Sequence, residues 1–263
     1  MSEDNVYFGK PITREIWGNM ANIILIYAGS AADFALHPEN HWLFYTNKLP
    51  SNPQERFIET FLYNQKLFFT PVSQLPRVVS HIRQIHSAIE TKRARESSHK
   101  MISHTAFKDV FSMLVDYGIR GYEYLNRRKL DPAEKTEYIN DIKAVSDMMG
   151  ISGFPSDDDS FREYRVDCIQ NRLQANEYTE RLYEAYLNDL GETRFNIVRR
   201  FQAQFIPQRL SEELGLVKSN AFSLLYRTYP YVHHGFLLRL LMRVLLKKAA
   251  RQALYKISQV SFS

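Results

Sequence analysis

The segment VVSHIRQIHSAIE, residues 78–90, carries two histidines five residues apart, and imidazole is the side chain that most readily ligates a metal or moves a proton near neutral pH. On an α-helix five residues turn roughly 500°, which leaves the rings of His81 and His86 about 140° apart and unable to share a ligand. Val79, Ile82, His86 and Ile89 follow i, i+3, i+7 and i+10, so His86 belongs to the apolar face, whereas His81 falls with Arg77 and Gln84 on the polar one. A single imidazole on an apolar stripe is either a hydrogen-bonded core residue or a ligand, and this segment alone leaves both readings open.

A second polar constellation lies upstream. In SNPQERFIETFLYNQKLFF, Arg56 and Thr60 stand four apart with Asn64 one turn further on, a polar line along a helix that also carries Phe57, Phe61, Leu62 and Leu67. A solvated helix face has the same look. His37 and His41 in HPENH have the spacing of a two-histidine metal site, but Pro38 opposes a regular turn beginning at His37. His233 and His234 are adjacent and diverge on a helix. The sequence contains no glycine-rich phosphate loop, no G-x-S-x-G elbow and no H-E-x-x-H, which removes the support for nucleotide-dependent and hydrolase chemistry. Cys168 is the single cysteine. A disulfide framework and a cysteine-cluster metal site are therefore excluded, and without C-x-x-C-H any heme would be held non-covalently.

Helices must position these residues, because helical punctuation recurs and alternation is absent. Asn52, Pro53 and Glu55 form a capping-box start for the helix bearing Arg56 and Thr60, and Asp131, Pro132 and Glu134 repeat the device before a helix that stops at Gly150. Between them Phe107, Val110, Phe111, Leu114 and Val115 lie at helical spacing, and NEYTERLYEAYLNDLG predicts a further helix ending at Gly191. TRFNIVRRFQAQFIPQRLSEELG reads as another, interrupted or ended near Pro207. The stretch 16–32 is too short and too rich in Asn and Gly for a membrane span and is expected to be one buried core helix. With 263 residues, 44% of them hydrophobic, the chain reads as an all-α, single globular multi-helix domain whose aromatic-rich interior suits a central ligand cavity.

Charge is distributed unevenly. No Asp or Glu follows Glu213 while eight Lys or Arg do, and the preceding residues carry 26 basic against 29 acidic side chains. The net charge of +5 thus belongs to the C-terminal part. Within 233–257, Arg239, Arg243, Lys247 and Arg251 recur every fourth residue against Leu237, Leu238, Leu241, Leu245 and Leu246, the pattern of a basic amphipathic helix. Such a helix either packs on the body with its basic side in solvent or makes peripheral contact with an anionic membrane surface. Confinement of the excess to one leucine-rich helix argues against nucleic acid as a partner. Acidic residues stand where an export signal needs basic ones, so a cytoplasmic location is expected.

Taken in order, HPEN at 37–40, LPSNPQERFIET at 49–60, VVSHIRQIHSAIE at 78–90 and the run from Ala106 to Ile151 resemble the MpaB and latex-clearing-protein oxygenases. The shared pattern is an early His-Pro, an Arg-x-x-x-Thr preceded by proline, and an Ile-His pair that here falls 26 residues after the threonine. An aromatic-rich helix follows, then Leu130, Glu134 and Tyr138 at fourth-residue spacing and a Met-Gly-Ile. The resemblance implies an all-helical fold holding heme b, with the axial histidine, and hence the iron, at His86 and the pocket arginine and threonine at Arg56 and Thr60. It also implies dioxygen as co-substrate and cleavage of carbon–carbon double bonds in isoprenoid compounds. Glu59 stands where the rubber-cleaving members carry a lysine that can approach the iron, so the resemblance does not bring rubber-type distal chemistry to this chain.

Two functions from different classes follow. In one, a heme b-dependent oxygenase acts on a hydrophobic, unsaturated or isoprenoid-like small molecule, with His86 on the iron and Arg56 and Thr60 beside the reacting groups. In the other, the same cavity holds a lipid or polyprenyl ligand without heme and the protein associates with membrane surfaces.

Overall fold

Proline opens several helices, its fixed φ suiting the first turn and its missing N–H being one that needs no helical partner. The computed structural model describes residues 7–41, 53–96 and 102–232 together with Arg243, the side chains of 54–58, 61, 89 and 92–96 excepted. Asn52, His233, His234 and the 233–257 segment, Arg243 apart, lie outside the described residues. The helices are α1 (Pro11–Gly18), α2 (Met20–Leu36), α3 (Pro53–Phe68), α4 (Leu75–Glu96), α5 (His104–Asn126), α6 (Pro132–Met148), α7 (Asp158–Asp167), α8 (Glu177–Leu190), α9 (Glu192–Phe205), α10 (Gln208–Glu213) and α11 (Asn220–Val232). The fold is an all-α single domain, as the sequence predicts.

The capping box at Asp131 is present as the sequence predicts. Asp131 accepts from the Glu134 N–H at 2.8 Å and Glu134 accepts from the Asp131 N–H at 3.0 Å, the reciprocal box that starts α6. Gly150 beyond its end takes φ 80°, a left-handed conformation that costs glycine little. Pro207 separates α9 from α10.

The 16–32 stretch is not one helix. Asn19 leaves helical geometry and its side chain accepts from the N–H groups of Ala21 and Asn22, so α1 and α2 meet at a bend of 81°. An asparagine at this position competes with helix continuation by capping the next one. Among the described residues no single helix is long and apolar enough to cross a membrane.

The core forms where α2 lies along α5. Small residues permit the approach: a Cβ at Gly29 would meet the Tyr117 ring at 2.4 Å, and one at Gly121 would meet Asn22 Oδ1 at 1.9 Å. Asn22 donates from Nδ2 to the carbonyls of Ile16 and Gly118, at 3.1 and 3.3 Å, stitching the bend to α5. On the other side, Trp17 Nε1 donates to Tyr138 Oη at 3.1 Å, and that hydroxyl donates to the Leu114 carbonyl, so α1, α6 and α5 share one buried junction. Asp141 of α6 accepts from Lys10 N–H and Thr13 Oγ1, at 2.7 and 2.6 Å, satisfying the start of α1 from outside its own sequence.

The Tyr117 ring cannot withdraw, because its hydroxyl donates to Asp33 Oδ1 at 2.6 Å. Gly29→Ala is therefore expected to lower stability by about 1–3 kcal/mol through overpacking, measured by denaturant unfolding. An unchanged midpoint would show that α2 and α5 can separate at no cost.

Candidate functional site

A cavity of about 590 Å3 lies between the α2–α5 pair, the α3–α4 pair and α8, α9 and α11. Its size falls in the range of small-molecule sites. Helical spacing explains the lining: Tyr27, Ala31 and Phe34 present one side of α2, and Phe107, Val110 and Leu114 the matching side of α5. Tyr183 and Tyr186 come from α8, Phe195, Val198 and Phe201 from α9, and Phe222, Tyr226 and Tyr229 from α11. Tyr124 stacks on Tyr226 with ring centroids 4.4 Å apart and donates to the Tyr226 carbonyl at 2.5 Å, fastening α11 to α5 beside the cavity.

Two of the three residues singled out by spacing reach this cavity. His86 is half-buried in its wall, with its ring 5.2 Å from that of Phe107, while His81 is exposed and packs beside Tyr63. Val79 and Ile82 are buried on the His86 side, so the two faces of α4 are as the periodicity predicts. Thr60 lines the same cavity from α3, and Asn64 Nδ2 donates to the Thr60 carbonyl at 2.9 Å. Arg56 lies on α3 one turn earlier, and its side chain lies outside the described residues. Glu59 is not among the lining residues, as its 100° step from Thr60 requires.

Polar groups in the wall are few. Ser30 is 1% exposed and its Oγ has no hydrogen-bond partner among the described residues. Gln202 is fully used: Nε2 donates to the Ala28 carbonyl at 2.8 Å and Oε1 accepts from Tyr183 Oη at 3.1 Å. Buried Asp189 also borders the space.

His37 belongs elsewhere. Its Nδ1 accepts from the Glu39 N–H at 3.1 Å, so Nε2 carries the proton and faces Asp109 Oδ2 at 3.3 Å. Asp109 also accepts from Tyr164 Oη at 2.6 Å and from Arg172 at 2.8 and 3.1 Å. Burial pushes the Asp109 carboxyl up, but the bonds from His37, Arg172 and Tyr164 outweigh it and hold the group well below the usual carboxylate range. His41 packs beside Tyr178 instead, with ring centroids 5.9 Å apart.

A second buried centre lies behind the cavity wall. Arg165 of α7 bridges Asp33 of α2, at 2.6 Å, and Asp116 of α5, at 3.0 Å. Burial raises both carboxyls. At Asp116 the guanidinium groups of Arg165 and Arg120 prevail and lower it, while Asp33 stays above its ordinary value. Cys168 follows at the start of a π-helical turn, Cys168–Arg172, and burial pushes its thiol up to about 12, which leaves it an unreactive core residue.

Among the described residues no group of three or more His, Cys, Asp or Glu is placed to hold a bare metal ion. Among the described lining residues the His, Cys, Asp and Glu side chains are one imidazole, His86, and one carboxyl, Asp189, in a largely apolar wall. That set fits an iron whose other ligands come with a porphyrin, not an ion that must take all its ligands from side chains.

Fold and site together define an all-helical domain built around an aromatic-lined cavity with an imidazole in its wall. Over residues 16–254 the sequence matches the family described as ER-bound oxygenase mpaB/B'/Rubber oxygenase, catalytic domain, and the chain belongs to that family. Its fold is similar to the solved "Structure of Latex Clearing Protein LCP in the closed state", with a TM-score of 0.60 at 16% identity, over 94% of this chain and 71% of that one. A comparison with curated proteins finds no match.

The tyrosines of α8 and α11 and the hydroxyl of Ser30 are wall residues that the sequence reading did not single out. Tyr183, Tyr186 and Leu190 do carry a helical signal, at i, i+3 and i+7. Asp109 binds fewer protons folded than unfolded in the window below its usual pKa of about 3.9, so its contribution to stability is complete above that value and falls as acid titrates the folded group. Asp109→Asn should flatten the acid limb of a stability-versus-pH curve. A limb as steep as in the unmodified protein would show that other carboxylates control it.

Proposed function

We propose that this chain is an oxygenase that binds heme b non-covalently and acts with dioxygen on a hydrophobic, unsaturated or isoprenoid-like small molecule. The observation that carries this reading is the His86 imidazole in the wall of a large apolar cavity, within a chain of an oxygenase family. Heme would supply the binding and activation of dioxygen.

The chain's own residues supply the surroundings. His86 would hold the iron through its imidazole, and Phe107 packs beside that ring. Thr60 offers a hydroxyl donor to an oxygen atom in the cavity. Arg56, one turn away on the same helix, is assigned the stabilisation of negative charge on a propionate or on oxygen. The aromatic walls of α8, α9 and α11 exclude water and bury an apolar chain. Ser30 Oγ offers the buried wall one unused hydroxyl, which suits a substrate that carries a hydrogen-bonding group in addition to its hydrocarbon.

Protein produced with a heme precursor should show a Soret band that shifts or disappears in His86→Ala, with circular dichroism unchanged. If neither protein takes up heme, the oxygenase reading fails and a heme-free lipid-binding role replaces it. Thr60→Val should keep the Soret band and lower turnover by a factor on the order of a hundred. Ser30→Ala should weaken binding of a prenyl alcohol while leaving the hydrocarbon of equal length unaffected; equal effects on both would remove Ser30 from substrate recognition.

A further inference from the structure

The cavity's described lining is buried or half-buried at every position but one. Of its described lining residues Leu225 alone is exposed, at 56%. It sits on α11, whose Phe222, Tyr226 and Tyr229 face the same space at i, i+4 and i+7. The outer side of this helix is not the polar surface that water would select. Leu224 is 66% exposed and Tyr231, one heptad on, is 61% exposed, with Val217 just before the helix at 80%. These four account for most of the large exposed apolar side chains among the described residues, and three of them lie on α11, the helix that brings Leu225 to the cavity.

Cations surround this apolar set. Lys218 and Arg227 are exposed on the same segment, and the Arg127 guanidinium lies 3.8 Å over the Tyr231 ring. The sequence after Val232 adds six more Lys or Arg and no Asp or Glu. An apolar strip flanked by cations and carrying tyrosine is complementary to the boundary between anionic headgroups and acyl chains.

We infer that α11 docks on an anionic phospholipid bilayer and sets the Leu225 mouth against the acyl layer, so that a membrane-dissolved apolar molecule enters the cavity without crossing water. The inference rests on the proposed hydrophobic substrate for what enters, and on nothing about heme. Leu224 and Tyr231 hold the surface, the cations choose its charge, and Leu225 forms the threshold.

The test uses the full chain in flotation with phosphatidylcholine vesicles, with and without phosphatidylserine, at low and high salt. Binding should favour the anionic vesicles by at least about tenfold and weaken with salt. The double variant Leu224→Glu/Tyr231→Glu changes exposed positions only, and should reduce binding by about a further tenfold with unchanged circular dichroism. Equal binding to both lipid compositions, or a double variant that binds as well as the unmodified chain, would overturn the docking. A stable dimer in light scattering that the double variant dissociates would assign the face to a second copy and also overturn it. Because vesicle binding is read without cofactor or turnover, a failed docking leaves the Soret result standing, and a failed Soret result leaves the docking standing.

Discussion

One buried guanidinium fixes the arrangement on which the rest depends. Arg165 is almost without exposure, and a charge taken that far from water is tolerated only when carboxylates meet it. The two it meets come from different helices, Asp33 on α2 and Asp116 on α5, so the pair of ion contacts fixes both the spacing of α2 against α5 and the place of α7 across them. Tyr117 adds a third tie through Asp33. Removing the guanidinium would leave Asp33 buried with only the Tyr117 hydroxyl and Asp116 with only Arg120, whereas removing one contact in an apolar wall leaves only a void. The charged centre is thus the intolerant part of the domain, and the cavity the adaptable one.

This division follows from the two sides of α5. Phe107, Val110, Phe111 and Leu114 turn toward the cavity, while Asp109, Ser112 and Asp116, at i, i+3 and i+7, turn toward α2, α7 and the π-helical turn. A helix with an apolar stripe and a polar stripe ordinarily sets the second in water. Here both stripes are buried, because Arg165, Arg172, Tyr164 and His37 arrive from other elements to satisfy the polar one. The cavity can remain largely apolar because the ion pairs of Asp33, Asp109 and Asp116 stand on the other side of α5, with Asp189 the buried carboxyl that borders the space.

What local sequence encodes was legible in these terms. The Asp131–Glu134 box, the stop at Gly150, the separation near Pro207 and the opposite faces of His81 and His86 all depend on interactions within a few residues, and they stand where spacing puts them. The bend at Asn19 was missed because an apolar run masked a capping residue whose effect is equally local. The Asp33–Asp116–Arg165 centre was not legible at all. Its members lie 83 and 49 positions apart in sequence, and nothing in a lone aspartate announces the arginine that will neutralise it. The tyrosines of α8 and α11 share that difficulty, since helical spacing marks a buried face without saying whether it meets side chains or a space.

Histidine shows why position within the fold outweighs residue type. His37 and His86 both turn inward, and spacing in the sequence raised each as a candidate ligand. At His37, where Pro38 follows the end of α2, both ring nitrogens are committed, one to the Glu39 amide and one to Asp109. His86 instead stands in the middle of a long regular helix, beside an aromatic ring and at the edge of a volume no side chain fills. A regular helix that borders the cavity presents its imidazole to that space, whereas the end of α2 commits its own to a backbone amide and a carboxylate.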